Sequence, residues 1–426
     1  MRGMDMKVEE LRKMGPWETP MYLFDLELFR ERVRLFRRGM GEQTGLCFAM
    51  KANPFLVGRI YQDVDRIEVC SMGEYRICQK IGIPPEKVLI SGVLKKEEDL
   101  EEILEHYGSR CFYTAESYGQ LRQLKAWGQA HGQKIRVYPR LTSGNQFGVD
   151  EEEMIRMLQE IRETDCLELQ GIHYFSGTQK RSMKKAGKEL EYLDDFLERA
   201  EKEASVSIKE VEYGPGFAVS YFENQEDKTQ EDVEILADAI RKMRWQGKTT
   251  LEMGRALAAT CGYYMTTVRE LKQSQGKRYC LVDGGIHQIN YDGQIRGMYI
   301  PKVQLLKKDP QKKEVPVGKE EASGMQVDTG KEAVHNRKDL KEWIVCGSLC
   351  TINDVLVQKL QAEDLECGDI LVFERAGAYA MTEGMSLFLS HELPKVVIYD
   401  GEAGLETIRE EIQTYGLNSE ESRRES

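Results

Sequence analysis

The chain lacks several things, and each absence narrows its function. No apolar run approaches the ~18 residues that a membrane span needs, and residues 1–10 are charged, without the apolar core of a secretion signal. A soluble, cytoplasmic protein is expected, with no membrane partner. The 60 Lys and Arg are outnumbered by 72 Asp and Glu, for a net charge of −12. Nucleic acid is therefore not an expected partner, because sequence-independent binding needs an excess of cations. The ten cysteines are scattered. Without a secretion signal they read as reduced thiols, mostly buried as small hydrophobes. Cys346 and Cys350 are four apart, but no second Cys or His pair lies near them, so no metal site is expected.

What is present is a rhythm. At 426 residues the chain exceeds one ordinary core, and two domains are expected. Apolar residues at helical spacing fill 26–38. Short apolar runs then recur at 45–50, 66–70, 88–91, 110–114, 135–141, 167–175, 209–213 and 249–252. Amphipathic stretches such as 96–106, 117–131 and 231–244 separate them and read as helices. Eight strands alternating with helices is the sequence form of an α/β fold, a (β/α)8 TIM barrel, placed at 26–268. A doubly wound sheet would alternate too, but eight is the number that closes a barrel. Beyond about residue 269 short candidate strands (279–282, 343–346, 370–373, 396–399) are separated by turns, which predicts a C-terminal all-β domain over 269–418. Within it, 307–338 is rich in charge and poor in apolar residues, and reads as a flexible insertion. The segment 419–426 reads as a frayed tail.

In a barrel of this kind the active site lies at the C-terminal ends of the strands, and the chemically interesting residues gather there. Lys51 ends the first run, Glu68 sits in the second and Arg140 near the end of the fifth. His173 and Phe175 end the sixth, just before Ser176-Gly-Thr178. Gly214-Pro-Gly216 follows the seventh, and Glu252-Met-Gly254-Arg255 closes the eighth. Each has an ordinary reading: a solvated lysine, a turn, a core histidine, an exposed loop. Their convergence on one rim favours a shared role. A lysine can hold a carbonyl cofactor as a Schiff base. Glycine turns admit backbone N–H groups close to a phosphate, and Thr178 and Arg255 add side-chain donors. Glu252 can pair with a pyridinium nitrogen and keep the ring an electron sink. Phe175 can stack on a ring face.

These motifs, together with Tyr22-Leu-Phe-Asp25, Gly171-Ile-His-Tyr-Phe-Ser-Gly-Thr178, Cys350-x-x-x-Asp354 and Ala376-Gly-Ala-Tyr379, resemble the fold-type III pyridoxal-phosphate decarboxylases, the ornithine, diaminopimelate and arginine group. The resemblance runs from Tyr22 to Asp400. It implies that pyridoxal 5′-phosphate is the cofactor, that Lys51 carries it, and that Glu252 faces the pyridine nitrogen. Thr178, Gly216, Gly254, Arg255 and Tyr379 would surround the phosphate. It also implies that residues 1–25 complete the β-domain and that the protein is a homodimer with shared active sites. Cys350 and Asp354 would then reach the partner's site, with Cys350 as the acid that protonates the substrate after CO2 leaves.

Departures from the family pattern bear on the substrate. Phe175 stands where the family usually has His, Pro215 interrupts a glycine triplet and removes one backbone donor, and Met253 replaces a proline. Thr351 follows Cys350 where ornithine and diaminopimelate decarboxylases place an acid for the substrate's distal amine. After Asp283-Gly-Gly285 the chain reads Ile286-His-Gln-Ile-Asn-Tyr291 instead of an Arg-Pro-Ala-x-Tyr run. Gly177-Thr-Gln179 and Leu349-Cys-Thr351 are similar to the smaller branch that includes the butirosin-pathway decarboxylase, whose substrate is glutamate on an acyl carrier protein. The expected reaction is α-decarboxylation of an amino acid, free or tethered to a carrier protein, with Thr351 and Asp354 facing the substrate. The alternatives are a diaminopimelate decarboxylase acting on the free meso acid, a racemase on the same cofactor, and a cofactor-free regulatory homologue. The acidic balance counts against an acidic carrier as partner unless a local basic patch overcomes it.

Overall fold

A computed structural model describes residues 6–308, 340–401 and 403–420. Two nine-stranded sheets organise it. The first is parallel throughout and closes on itself: Gly45–Ala49, Arg66–Val69, Val88–Ile90, Phe112–Ala115, Ile135–Leu141, an interrupted sixth strand, Glu210–Gly214 and Lys248–Met253, which pairs back to Gly45–Ala49. This is the TIM barrel expected from the rhythm. The sixth run, read as one strand over 167–175, is two pieces, Leu167–Leu169 and Ile172–Phe175, both paired to Ile135–Leu141. The break has a steric cause. A Cβ on Gly171 would fall 2.0 Å from the carbonyl oxygen of Glu210, so the backbone passes too close to the seventh strand to keep a regular ladder.

The surrounding helices begin where short polar side chains cap them. Ser71, Ser117 and Asp150 accept from the backbone N–H groups of Glu74, Gln120 and Glu153, opening Met72–Ile81, Tyr118–His131 and Glu151–Arg162. Left-handed Gly82 and Gly132 end the first two of these.

The second sheet is mixed. Gly262–Ser274 is its long central strand, paired with Lys277–Val282, Ile370–Phe373 and, from the other end of the chain, Met21–Asp25. Met21–Asp25 also pairs in parallel with Lys395–Asp400. The apolar runs at 279–282, 343–346, 370–373 and 396–399 all lie in strands of this sheet. Sequence patterning overlooked Gly262–Ser274, whose first residues fall inside the expected barrel span 26–268, and Val303–Leu306, Val355–Ala362 and Gly404–Arg409; the last is largely exposed and has no buried face to mark it. The expected insertion at 307–338 and the tail at 419–426 fall almost wholly outside the described residues. Among the described residues no helix is long and apolar enough to cross a membrane, and no group of three or more His, Cys, Asp or Glu is arranged to hold a metal ion.

A turn from the second sheet is fastened to the barrel rim. The Asn53 side chain donates to Gly377 O at 2.9 Å, and the backbone N–H groups of Gly377 and Tyr379 donate to Ala259 O and Ala52 O at 3.0 and 2.8 Å. A Cβ on Gly377 would meet Ala258 O at 2.0 Å, so only glycine fits there. The turn delivers Tyr379 beside Lys51 in a left-handed conformation, φ 62°. For a non-glycine residue that costs about 1 kcal/mol or more, and the bond to Ala52 holds it in place.

Candidate active site

Polar residues enter the barrel at alternate positions of its strands, forming two layers. The lower layer is structural. Arg66 donates to Glu210 Oε1 and Glu212 Oε2, both at 2.7 Å, while the Tyr138 and Thr250 hydroxyls also donate to Glu210. The Arg66 guanidinium lies 4.6 Å from the centroid of the Phe112 ring. These buried charges are paired and hydrogen-bonded, which is the condition for tolerating them in a core.

Two residues further along the same strands lies the upper layer, which faces the rim. Lys51 Nζ donates to Glu68 Oε2 at 2.5 Å and lies 3.7 Å from Glu252 Oε1. The Cys70 thiol, 3.5 Å from Lys51 Nζ, donates to Glu68 Oε1 at 3.1 Å. Burial works against the Lys51 charge, but Glu68, Cys70 and Glu252 outweigh it and raise the pKa well above that of a free lysine. His173 Nε2 meets Glu252 Oε2 at 2.6 Å. Burial alone would favour neutral Glu252; Lys51 and the His173 hydrogen bond overcome it and hold the carboxyl ionised, far below the usual range. Arg140 is buried, paired with Glu116 at 2.9 Å and packed 4.5 Å from the Phe147 centroid.

On one side of this group a cradle is kept free of side chains. A Cβ on Gly214 would strike the Phe175 ring at 2.0 Å. On Gly216, at φ 71°, it would strike Gly177 O at 2.2 Å and approach the Thr178 Cα at 3.3 Å. On Gly254 it would meet Ala52 Cβ at 2.7 Å and the Tyr379 hydroxyl at 3.2 Å. Arg255 closes the cradle, its guanidinium 4.6 Å from the Tyr379 centroid and donating to the Tyr221 hydroxyl at 2.8 Å. Its Nε is buried without a partner, as is His173 Nδ1. An unspent buried arginine donor beside glycine-lined space fits a phosphate, and an ionised carboxylate beside a lysine fits a protonated pyridine ring. The residues present therefore suit pyridoxal phosphate.

The structure thus gathers Lys51, Glu68, His173, Phe175, Thr178, Gly214, Gly216, Glu252, Gly254, Arg255 and Tyr379 around one rim, with Arg140 in the same layer, paired to Glu116. Sequence reading missed Cys70, Glu116 and Tyr221, which complete the pairs of Lys51, Arg140 and Arg255. Cys70 lies two positions from Glu68 and could have been found by extending the alternation of the second strand. Glu116 and Tyr221 lie in loops and carry no local signal.

Cys350, Thr351 and Asp354 are elsewhere in the chain's own contacts. Cys350 is exposed. Asp354 is buried, and both its oxygens are occupied: Oδ1 accepts from Ile286 N at 2.9 Å and Oδ2 from Leu349 N at 2.7 Å. It ties the 285–287 loop to the segment carrying Cys350.

His287 lies in that loop, 1% exposed, with both ring nitrogens unpartnered. Burial, aided by the nearby His391 and opposed by Glu392, pulls its pKa down from 6.5 to about 4. The unfolded chain therefore binds the extra proton between those values, and stability is lost as pH falls from 6.5 towards 4, by about 3 kcal/mol at the acid end. Urea unfolding of the wild type and His287→Leu across pH 4–7 is expected to show a shallower acid loss in the variant. Equal slopes would show that His287 takes up its proton in the folded protein as readily as in the unfolded chain.

Comparison with known proteins agrees with this geometry. The family profile described as pyridoxal-dependent decarboxylase, pyridoxal binding domain, matches residues 26–259. The chain is 25% identical over 399 residues to the L-glutamyl-(BtrI acyl-carrier protein) decarboxylase of Niallia circulans, covering 89% of this chain and 88% of that protein. It is 24% identical over 410 residues to the diaminopimelate decarboxylase of Aquifex aeolicus, covering 92% and 89%. The crystal structure of the Helicobacter pylori diaminopimelate decarboxylase complexed with L-lysine superposes with a TM-score of 0.76 at 20% identity, over 96% of this chain and 98% of that one.

Proposed function

The chain belongs to the pyridoxal-dependent decarboxylases, and from that premise we propose that its substrate is an amino acid whose far end is masked, with glutamate held as a thioester on a carrier protein as the leading case. An α-decarboxylase needs a free α-amino group and α-carboxylate, so such a glutamate must be attached through its side-chain carboxyl.

The observation that carries this reading is the state of the acids near Cys350. Ornithine, lysine and diaminopimelate present a cationic amine far from the reacting carbon. Thr351 offers only a hydroxyl, and Asp354 is buried, with each oxygen turned to a backbone N–H of the loops that hold Cys350. Burying an unpaired ammonium costs roughly 3 to 5 kcal/mol, which at about 1.4 kcal/mol per decade is a hundredfold discrimination or more. A thioester carries no such charge. The name of the Niallia relative supports the same substrate; that of the Aquifex relative, at similar identity, supports diaminopimelate as the second reading.

Bound pyridoxal phosphate supplies an electron sink for the pair left behind when CO2 departs. The protein does the rest. Lys51 would hold the cofactor covalently, and Glu252, ionised and oriented by His173, would keep a proton on the ring nitrogen. Gly216, Gly254, Arg255 and Tyr379 would hold the phosphate, with Thr178 at the mouth. Phe175 would cover one ring face, and Glu68 would position Lys51. Cys350, exposed on its own chain, would deliver the proton to the substrate α-carbon in the site of a partner subunit.

Release of CO2 is the test, measured with glutamate γ-thioesters of pantetheine and of a carrier protein beside free meso-diaminopimelate, ornithine and lysine. The thioesters are expected to win by about a hundredfold or more, and Thr351→Glu is expected to shift preference towards the diamino acids. Wild-type turnover of meso-diaminopimelate exceeding that of the thioesters would replace this reading by the second.

A further inference from the structure

The loop that leaves the cofactor cradle runs directly into a concentration of positive charge. After Thr178 the chain reads Gln179-Lys-Arg-Ser-Met-Lys-Lys-Ala-Gly-Lys188, five cations in ten residues of a chain whose net charge is −12. Lys180 is accounted for: it is half-buried, donates to Ser176 and pairs with Glu189 at 2.7 Å. The other four, Arg181, Lys184, Lys185 and Lys188, are exposed, and none is ion-paired with an acid among the described residues. Other cations of the same helical layer are matched, as Arg199 is with Glu151 and Glu152 and Arg244 with Asp194, Asp195 and Glu198; what sets the patch apart is the spacing of four unpaired cations within eight residues.

Position makes the patch relevant to the reaction. The backbone N–H of Lys180 donates to Gly216 O at 2.9 Å, so the segment is hydrogen-bonded to the phosphate cradle itself. The helix that follows, Lys184–Ala204, starts on the face of the barrel where the strands end and the active site opens. Between patch and cradle lies a cleft of about 740 Å³, lined by Gln179, Arg181, Val219, Asp292 and Tyr299 among others. Gln179 Oε1 accepts from Val219 N at 2.7 Å and forms part of its floor. The cleft also holds four acids: Asp227 meets Thr229 and Arg375, Asp232 accepts from Met183 N, Glu226 pairs with Lys228, and Asp292 is exposed. None of these pairs is with Arg181, and Lys184, Lys185 and Lys188 lie outside the cleft lining.

We infer that Arg181, Lys184, Lys185 and Lys188 form the docking surface for an acidic carrier protein, whose thioester arm enters the active site along the adjacent cleft. The inference rests on the masked-substrate reading above. A free amino acid would need no such surface, whereas a carrier of net negative charge must be drawn to a negative enzyme by a local field of opposite sign. The cations would act on encounter and on affinity, leaving the chemistry of the bound arm untouched.

The holoenzyme and its Lys184→Glu/Lys185→Glu/Lys188→Glu variant test this with the glutamate γ-thioester on an acidic acyl-carrier protein and on free pantetheine. The visible cofactor band is recorded first as a check on folding. On the carrier-bound substrate kcat/KM is expected to fall about tenfold or more, through KM, and on the pantetheine thioester to change less than about twofold. Raising salt from about 50 to 500 mM is expected to weaken wild-type turnover of the carrier substrate alone. Equal losses on both thioesters, or no loss on either, would overturn the docking surface while leaving the substrate reading intact. If the wild type turns over neither thioester, both fall. Charge-dependent binding to anionic phospholipid vesicles without any preference for the carrier would assign the patch to a lipid surface instead.

Discussion

Lys51→Ala is expected to abolish the visible absorption of the bound cofactor and lower decarboxylation by on the order of 10⁴-fold or more, the scale typical of removing a covalent catalytic group. The fold is expected to survive. Lys51 is partly exposed at the rim, in the short turn Met50–Ala52 that follows the first strand, and its ammonium meets only side chains of the site, Glu68, Cys70 and Glu252. Its removal leaves Glu68 and Glu252 facing one another without their shared cation. Glu252 then loses the largest influence holding it ionised, so its pKa rises, and the variant is expected to bind the cofactor more weakly as well as fail to attach it. Visible spectra, CO2 release and far-ultraviolet circular dichroism on the same preparation separate these effects. An unchanged visible band would remove Lys51 from its role.

The second large effect is expected at Cys350. A positioned general acid typically contributes about 10² to 10⁴-fold, and Cys350→Ala is expected to lose turnover on that scale. Its signature is chemical as well as kinetic. With no donor aimed at the α-carbon, protons arrive at the wrong place, so amine yield should fall below CO2 yield and the enzyme should inactivate during turnover. Because the exposed Cys350 is proposed to serve a partner's site, mixing Lys51→Ala and Cys350→Ala subunits is expected to restore part of the activity. A heterodimer would contain one site with both residues intact. Stoichiometric amine from Cys350→Ala at the normal rate would deny it an acid role. Failure of the mixture, with subunit exchange demonstrated, would place both residues in one chain's site.

The legibility of this molecule in its sequence follows from periodicity. The barrel could be read because each strand is a short apolar run bounded by helical spacing, and closure needs eight of them. Inside the runs a second signal lay unread. Arg66 and Glu68, Tyr138 and Arg140, and Thr250 and Glu252 are pairs two residues apart, and on a strand that spacing puts both on one face. In a closed barrel that face is the interior, so such pairs mark a structural polar floor with a functional layer above it. Other partners could not be read. Glu116 finds Arg140, and Tyr221 finds Arg255, only through the fold. The occupied state of Asp354 likewise became visible only when residues 286 and 349 were seen to meet it. In the second sheet, strands with two exposed faces carry no alternation for pattern reading to detect.

The central place of Met21–Asp25 has a consequence in time. Its parallel partner begins at Lys395, about 370 residues later in the chain, and its antiparallel partner only at Gly262. At roughly 5 to 20 residues per second, a ribosome would take about 20 to 75 seconds to travel from one to the other. Within that interval, once residue 253 has been made, the barrel can close while Met21–Asp25, a segment buried along its whole length in the finished protein, still has an open edge. Newly made chains would spend that time vulnerable to strand addition from their neighbours on the same messenger. The second sheet, and with it the turn that brings Tyr379 to Lys51, is the last part of the protein to be completed.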